Sequence, residues 1–228
     1  MECCRNRTFH DPNDATCASS RRPKQPSRKR SMNLVIMKVA TTGFSVAEDD
    51  VSYVGALRLC ADSGRLVSSF TTYVKPERHG FAAFREYAGL PHLTEVDFEG
   101  LPTVSEALQA LARFVGKDAV IAHRGPVRDM PVIREKCVRH GLRVRPVRIM
   151  DSADMARELL GRNTDVTLRK QAKRFRLMDD QNPAPLGPVR YLEILGEVVQ
   201  RMWALLAPEH GPFPVAYGTG VLPVTDLP

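Results

Sequence analysis

From Asn33 onward the chain alternates between two periods of hydrophobicity. Leu34 to Ala40 is a short, largely apolar run suited to a buried strand, and Thr41-Thr42-Gly43 closes it as a turn. Val51 to Cys60 and Leu66 to Val74 are β-rich runs separated by Asp62-Ser63-Gly64, which predicts an antiparallel hairpin ended by Pro76. The period then changes. Val104, Leu108, Leu111, Phe114 and Val115 recur at helical spacing behind Thr103 and Glu106, a capping-box pair. Ala119 to Ala122 predicts a strand, Met130 to His140 a helix closed by Gly141, Val147 to Met150 a strand, and Ser152 to Leu160 a helix stopped by Gly161. Two further helices are expected over Leu168 to Leu177 and from about Val189 to Leu206. Strands first, then alternating strand and helix, predict an α/β fold with a mixed sheet flanked by helices.

The flanks read differently. Residues 1 to 32 mix Cys, Pro, Ser and Arg without periodicity and include the run RRPKQPSRKR. That composition predicts a disordered basic tail, or an upstream extension if translation begins at Met32. Cys3, Cys4, His10 and Cys17 have no paired zinc-ligand spacing. From Pro208 the chain is rich in Pro and Gly and lacks periodicity, so residues 207 to 228 are expected to form either a strap across the domain or a docking peptide.

Composition narrows the class. A chain of 228 residues with 43% hydrophobic and 26% charged residues is that of one ordinary globular domain with short appendages, and no apolar run reaches bilayer length. Five cysteines without a scaffold pattern, and no apolar leader, lead to the expectation of a reducing, cytoplasmic setting without membrane association. Residues 1 to 32 carry eight Lys/Arg against three Asp/Glu; of the net +7, only +2 falls on the remaining 196 residues. The high pI therefore belongs mostly to the tail and says little about the fold's partners.

The first strand with its Thr-Thr-Gly turn, the hairpin pair VSYVGALRL and GRLVSSFTTYVKP, the element Tyr87-Ala88-Gly89-Leu90, and PTVSEALQALARFVG together resemble the DnaQ-like (DEDD) 3′-to-5′ exonucleases. The likeness continues through AVIAHRGPVRDMPVI, IMDSADMARELL and TLRKQAKRF, so residues 33 to 206 are expected to adopt their ribonuclease H-like fold. In that family four carboxylates hold two divalent ions, Mg²⁺ or Mn²⁺, and a His acts as general base. The first family motif reads Asp-x-Glu-Thr-Thr-Gly. Here Lys38 and Ala40 stand at its two carboxylate positions, on one face of the strand by its period of two.

Asp129 falls at the carboxylate position of the second motif. For that motif's His, either an insertion lies within Arg124 to Arg128 and displaces His123, or Arg124 takes the place. The third motif aligns with Pro183 to Val189, with Pro183 for its His and Pro188 for its Asp. Only Asp129 of the family's set survives in this alignment, and it is also a candidate N-cap for the helix that follows. Lys38 is expected to pair with Asp129 and lower its pKa.

The resemblance thus implies a catalytically inactive exonuclease-like domain that needs no cofactor and acts by binding single-stranded nucleic acid or a replication or repair protein. One alternative is an active exonuclease holding Mg²⁺ or Mn²⁺ through Asp129 and loop acids such as Asp179 and Asp180. Another is an interaction module that binds no nucleic acid. Thr41, Thr42, Arg124, Arg128, Arg169 and Lys173 are the candidate nucleic-acid contacts, although the cations of residues 167 to 177 also fit the solvated face of a helix. His140 suits a helix's last turn, and Trp203 falls at core spacing in the final helix.

Overall fold

The computed structural model describes residues 33–179, 186–210 and 217–225. The basic tail, the candidate zinc ligands, Asp180 and Pro183 lie outside the described residues. A six-stranded sheet in the order β3-β2-β1-β4-β5-β6 forms the middle layer. β1 (Asn33–Thr41), β2 (Val51–Cys60) and β3 (Leu66–Tyr73) form an antiparallel meander, and the turn between the last two places Gly64 at φ +64°. β4 (Ala119–Ala122) runs parallel to β1 and is buried throughout, as a strand covered on both faces must be. β5 (Val144–Asp151) continues the parallel half.

Side chains of β1 sort by parity into two cores. Val35, Met37 and Val39 pack beneath α3 (Val104–Val115) and α4 (Asp129–Arg139). Leu34 and Ile36 pack beneath α5 (Ser152–Leu160), α6 (Leu168–Arg174) and α7 (Pro188–His210). The capping box of α3 is formed: the Thr103 hydroxyl accepts from the Glu106 N–H at 3.3 Å, and the Glu106 carboxylate accepts from the Thr103 N–H at 2.8 Å. Trp203 is buried, and its indole N–H donates to the Ala61 carbonyl at 2.9 Å, tying α7 to the hairpin turn.

Several expectations are corrected. Within residues 76–101 the sequence marks only the element Tyr87-Ala88-Gly89-Leu90 and no helix, yet α1 (Phe81–Ala88) and α2 (Glu95–Glu99) form there around a small aromatic cluster of Phe84 and Phe98. α6 stops at Arg174, short of Leu177, because Phe175 caps it and Arg176 turns to φ 59°. The segment beyond Pro208 is not without structure: α7 runs to His210, and β6 (Tyr217–Pro223) pairs antiparallel with β5. Leu222 of β6 is fully buried, so this strand is part of the core and the domain does not end at 206. Among the described residues, no helix is long and apolar enough to cross a membrane.

Candidate nucleic-acid interface

At the C-terminal end of β1 the sheet opens into a cleft of about 410 Å³ between the loop after β1 and the start of α4. Lys38, Thr41, Thr42, Phe44, Val127, Arg128 and Asp129 are among the residues that line it. Lys38 and Ala40 lie on the α7 face of β1, as their parity requires, and Ala40 packs against that core.

The centre of the cleft is an ion pair. Lys38 Nζ donates to Asp129 Oδ1 at 3.1 Å, and the Val39 N–H donates to Asp129 Oδ2 at 3.3 Å. The pairing expected from sequence is therefore present, but two associated expectations fail. Arg128 is the N-cap of α4, with Asp129 its first helical residue, and the Asp129 carboxylate is spent on β1 rather than on capping. Its pKa is raised, not lowered: burial of a side chain only 3% exposed outweighs the pull of Lys38, the Val39 N–H and Arg128.

Pro188 is merely the first residue of α7, where a missing N–H costs nothing. One turn on, the Tyr191 ring stands 5.4 Å from Lys38 Nζ, so a phenol occupies the ground where α7 meets the ion pair. Burial, then the charges of Asp129 and Asp151, push the Tyr191 phenol up. The sequence reading did not place Tyr191 beside Lys38, because the helical spacing of α7 marks it only as a core-facing position. A helical count from Lys38's facing element, unreadable without the fold, is what finds it.

Other candidates separate. Arg128 is in the cleft, its guanidinium 5.0 Å from the Phe44 ring. Thr41 and Thr42 line it, but their hydroxyls shape the loop: Thr41 Oγ1 donates to the Gly43 carbonyl at 2.7 Å and Thr42 Oγ1 to Asp49 Oδ1 at 3.1 Å. A Cβ at Gly43 would sit 2.7 Å from the Asp49 carboxylate oxygens, so a side chain there would push that carboxylate aside. Arg124 stands beside the cleft at φ 55°, its N–H held by Asp151 Oδ1 at 2.8 Å. The same oxygen accepts the Ala153 N–H, making Asp151 the N-cap of α5, and burial raises its pKa. Arg169 and Lys173 belong to α6 and are not among the residues lining the cleft.

His123 Nδ1 is 2.9 Å from Ser152 Oγ. Burial first, then the charges of Arg124, Lys38 and Arg157, lower its pKa to about 4, so it is neutral at physiological pH. It is not among the residues lining the cleft. His140 instead joins Glu77 at 2.8 Å, on the far side of α4.

A pair of divalent ions does not fit these side chains. Asp129 already faces an ammonium, the neighbouring β1 position offers a methyl, and Tyr191 supplies a phenol. Among the described residues no group of three His, Cys, Asp or Glu is placed to hold a metal, and Asp179 is exposed in the loop after α6.

Residues 39–182 match the exonuclease family of the RNase T type, which is more than half the chain, and the chain belongs to that family. It is 30% identical over 139 residues to the PolC-type DNA polymerase III of Clostridium perfringens (strain 13 / Type A), a stretch that is 61% of this chain but 9% of that polymerase. The nuclease domain of 3′hExo, a DEDDh family member solved with rAMP, superimposes with a TM-score of 0.61 at 12% identity, covering 77% of this chain and 94% of that one. A 3′-exonuclease that recognises the 3′ end of a histone mRNA stem-loop gives 0.60 at 12% identity, covering 75% and 81%. The ribonuclease H-like, DnaQ-like exonuclease fold implied by the sequence motifs is thus the fold of this chain.

Proposed function

We propose that this domain holds the end of a single-stranded nucleic acid in its cleft and does not hydrolyse it. The Lys38–Asp129 ion pair carries the reading: a fixed ammonium sits where the family places a metal-binding carboxylate and neutralises the Asp129 carboxylate beside it, which removes the means of activating water there. Phe44 is 85% exposed at the rim beside Arg128, an arrangement that offers a base a stacking face and its phosphate a cation. Val127, 69% exposed, extends the apolar side of the rim. The relatives solved with rAMP and described as recognising an RNA 3′ end support an RNA strand as the first probe.

The test is fluorescence anisotropy with a labelled single-stranded RNA and its DNA counterpart at two salt concentrations. Phe44→Ala is expected to weaken binding by roughly 5- to 100-fold, the range of one lost base stack. Arg128→Ala is expected to weaken it and to make the salt dependence shallower by about one phosphate contact. Binding that neither variant changes would overturn this placement.

A further inference from the structure

Phe44 keeps 85% of its surface in water although Val46, Val127 and Val132 line the cleft beside it. A free loop would fold that ring onto the apolar side chains, because burying aromatic surface is favourable. The hydrogen bonds of residues 42–50 hold it out.

Asp49 reaches back to both sides of the Gly43-Phe44 pair. Its Oδ1 accepts from the Thr42 hydroxyl at 3.1 Å, and its Oδ2 accepts from the Ser45 N–H at 2.5 Å. Its own N–H donates to the Ser45 carbonyl at 3.1 Å. One residue thus fixes the backbone before and after Phe44. Asp49 is in turn held from behind. The Arg78 guanidinium donates to the Glu48 carbonyl at 2.7 Å and to the Ala47 carbonyl at 3.3 Å, and Arg139 Nη2 in the last turn of α4 also donates to the Ala47 carbonyl. On its other side Asp50 is buried, and Asp50 Oδ2 accepts from the Arg78 N–H at 2.7 Å. The brace is therefore anchored to α4 and to the segment after β3.

We propose that Asp49 is a positioning residue for strand binding: it holds Phe44 where a base stacks on it and keeps the ring from closing the cleft. This rests on the reading of the cleft as a nucleic-acid site. The two effects of an acidic side chain at this rim differ in sign. A carboxylate near a phosphate path repels the strand, so on charge alone its removal tightens binding. Removal of a brace weakens it.

Anisotropy titration of the labelled single-stranded RNA with the full chain separates them. Asp49→Ala is expected to weaken binding by roughly 3- to 10-fold although it removes a negative charge. Asp49→Asn removes the same charge but keeps an oxygen for the Ser45 N–H and an amide N–H for the Thr42 hydroxyl oxygen, and is expected to recover most of the affinity. In a chain that already carries Phe44→Ala, Asp49→Ala is expected to cost nothing further, because the group it positions is gone. Tighter binding by both Asp49 variants, equal losses in the two, or an Asp49→Ala loss undiminished in the Phe44→Ala chain would overturn the proposal and leave the reading of the cleft standing. Binding that Phe44→Ala does not change would overturn that placement of the strand, and this proposal with it.

Discussion

Lys38→Ala is expected to destabilise the domain by about 3 kcal/mol at neutral pH, with the loss shrinking toward acid pH. Asp129 is nearly excluded from solvent, and removing its cation leaves a buried charge held only by the Val39 N–H and the more distant Arg128. The value is set at the low end for a broken buried pair because Lys38 keeps 21% of its side chain in water. The pH dependence follows from the raised pKa of Asp129. A carboxyl whose folded pKa lies above its unfolded value binds more protons folded than unfolded between the two. Its contribution is complete below the unfolded value, near 4, and is lost as pH rises through the folded one. Lys38 limits that loss, and without it the folded pKa climbs further. Urea denaturation at pH 7 and again near pH 4 checks this; an equal loss at both would show that the ion pair is not its source.

Lys136→Ala is expected to cost more, about 4 kcal/mol. Lys136 is fully buried, with its Nζ 3.5 Å from Glu77 Oε2 and 3.9 Å from Asp50 Oδ1. Burial pushes Asp50 up, but hydrogen bonds from His79 and the Arg78 N–H, with the charge of Lys136, bring it below its ordinary value. A depressed carboxyl contributes stability above its unfolded pKa and loses it as pH falls through the folded one, opposite in sign to Asp129. The variant should therefore unfold at a higher pH on acid titration. Lys136→Met, which refills the volume, is expected to recover part of the stability while keeping the shifted acid midpoint. A midpoint unchanged in both variants would contradict the assignment. The consequence reaches the cleft, because Asp50 exchanges hydrogen bonds with Thr42: its N–H donates to Thr42 Oγ1, and its carbonyl accepts the Thr42 N–H, each at 2.9 Å.

The sequence was most legible where periodicity alone decides structure. The apolar runs of β1 and β4, the hairpin at Gly64 and the capping box of α3 are local devices, and each is found where its residues predict. β6 was not legible because its fit to the fold suppresses its own signal. Gly220 lies where a Cβ would come within 2.4 Å of Met130 Sδ and would have to displace it, and glycine erases the alternation that marks a strand. In the candidate site, the Lys38–Asp129 pair followed from strand parity and one helix start. Tyr191 did not, since its relation to Lys38 depends on how α7 crosses the sheet. Nor did the direction of Asp129's pKa, which is set by how deeply the fold buries it. Phe44 directly follows the Thr-Thr-Gly turn and was overlooked because its exposure, not its identity, is what marks it.

The most direct test of a cleft that binds without hydrolysing is the length of a bound strand. A single-stranded RNA labelled at its 5′ end is incubated with the full chain in Mg²⁺ and separately in Mn²⁺, beside Asp129→Asn, and resolved on a denaturing gel. The strand is expected to be bound and to stay at full length over hours. A ladder shortened from the 3′ end by the unaltered chain and abolished in Asp129→Asn would contradict it.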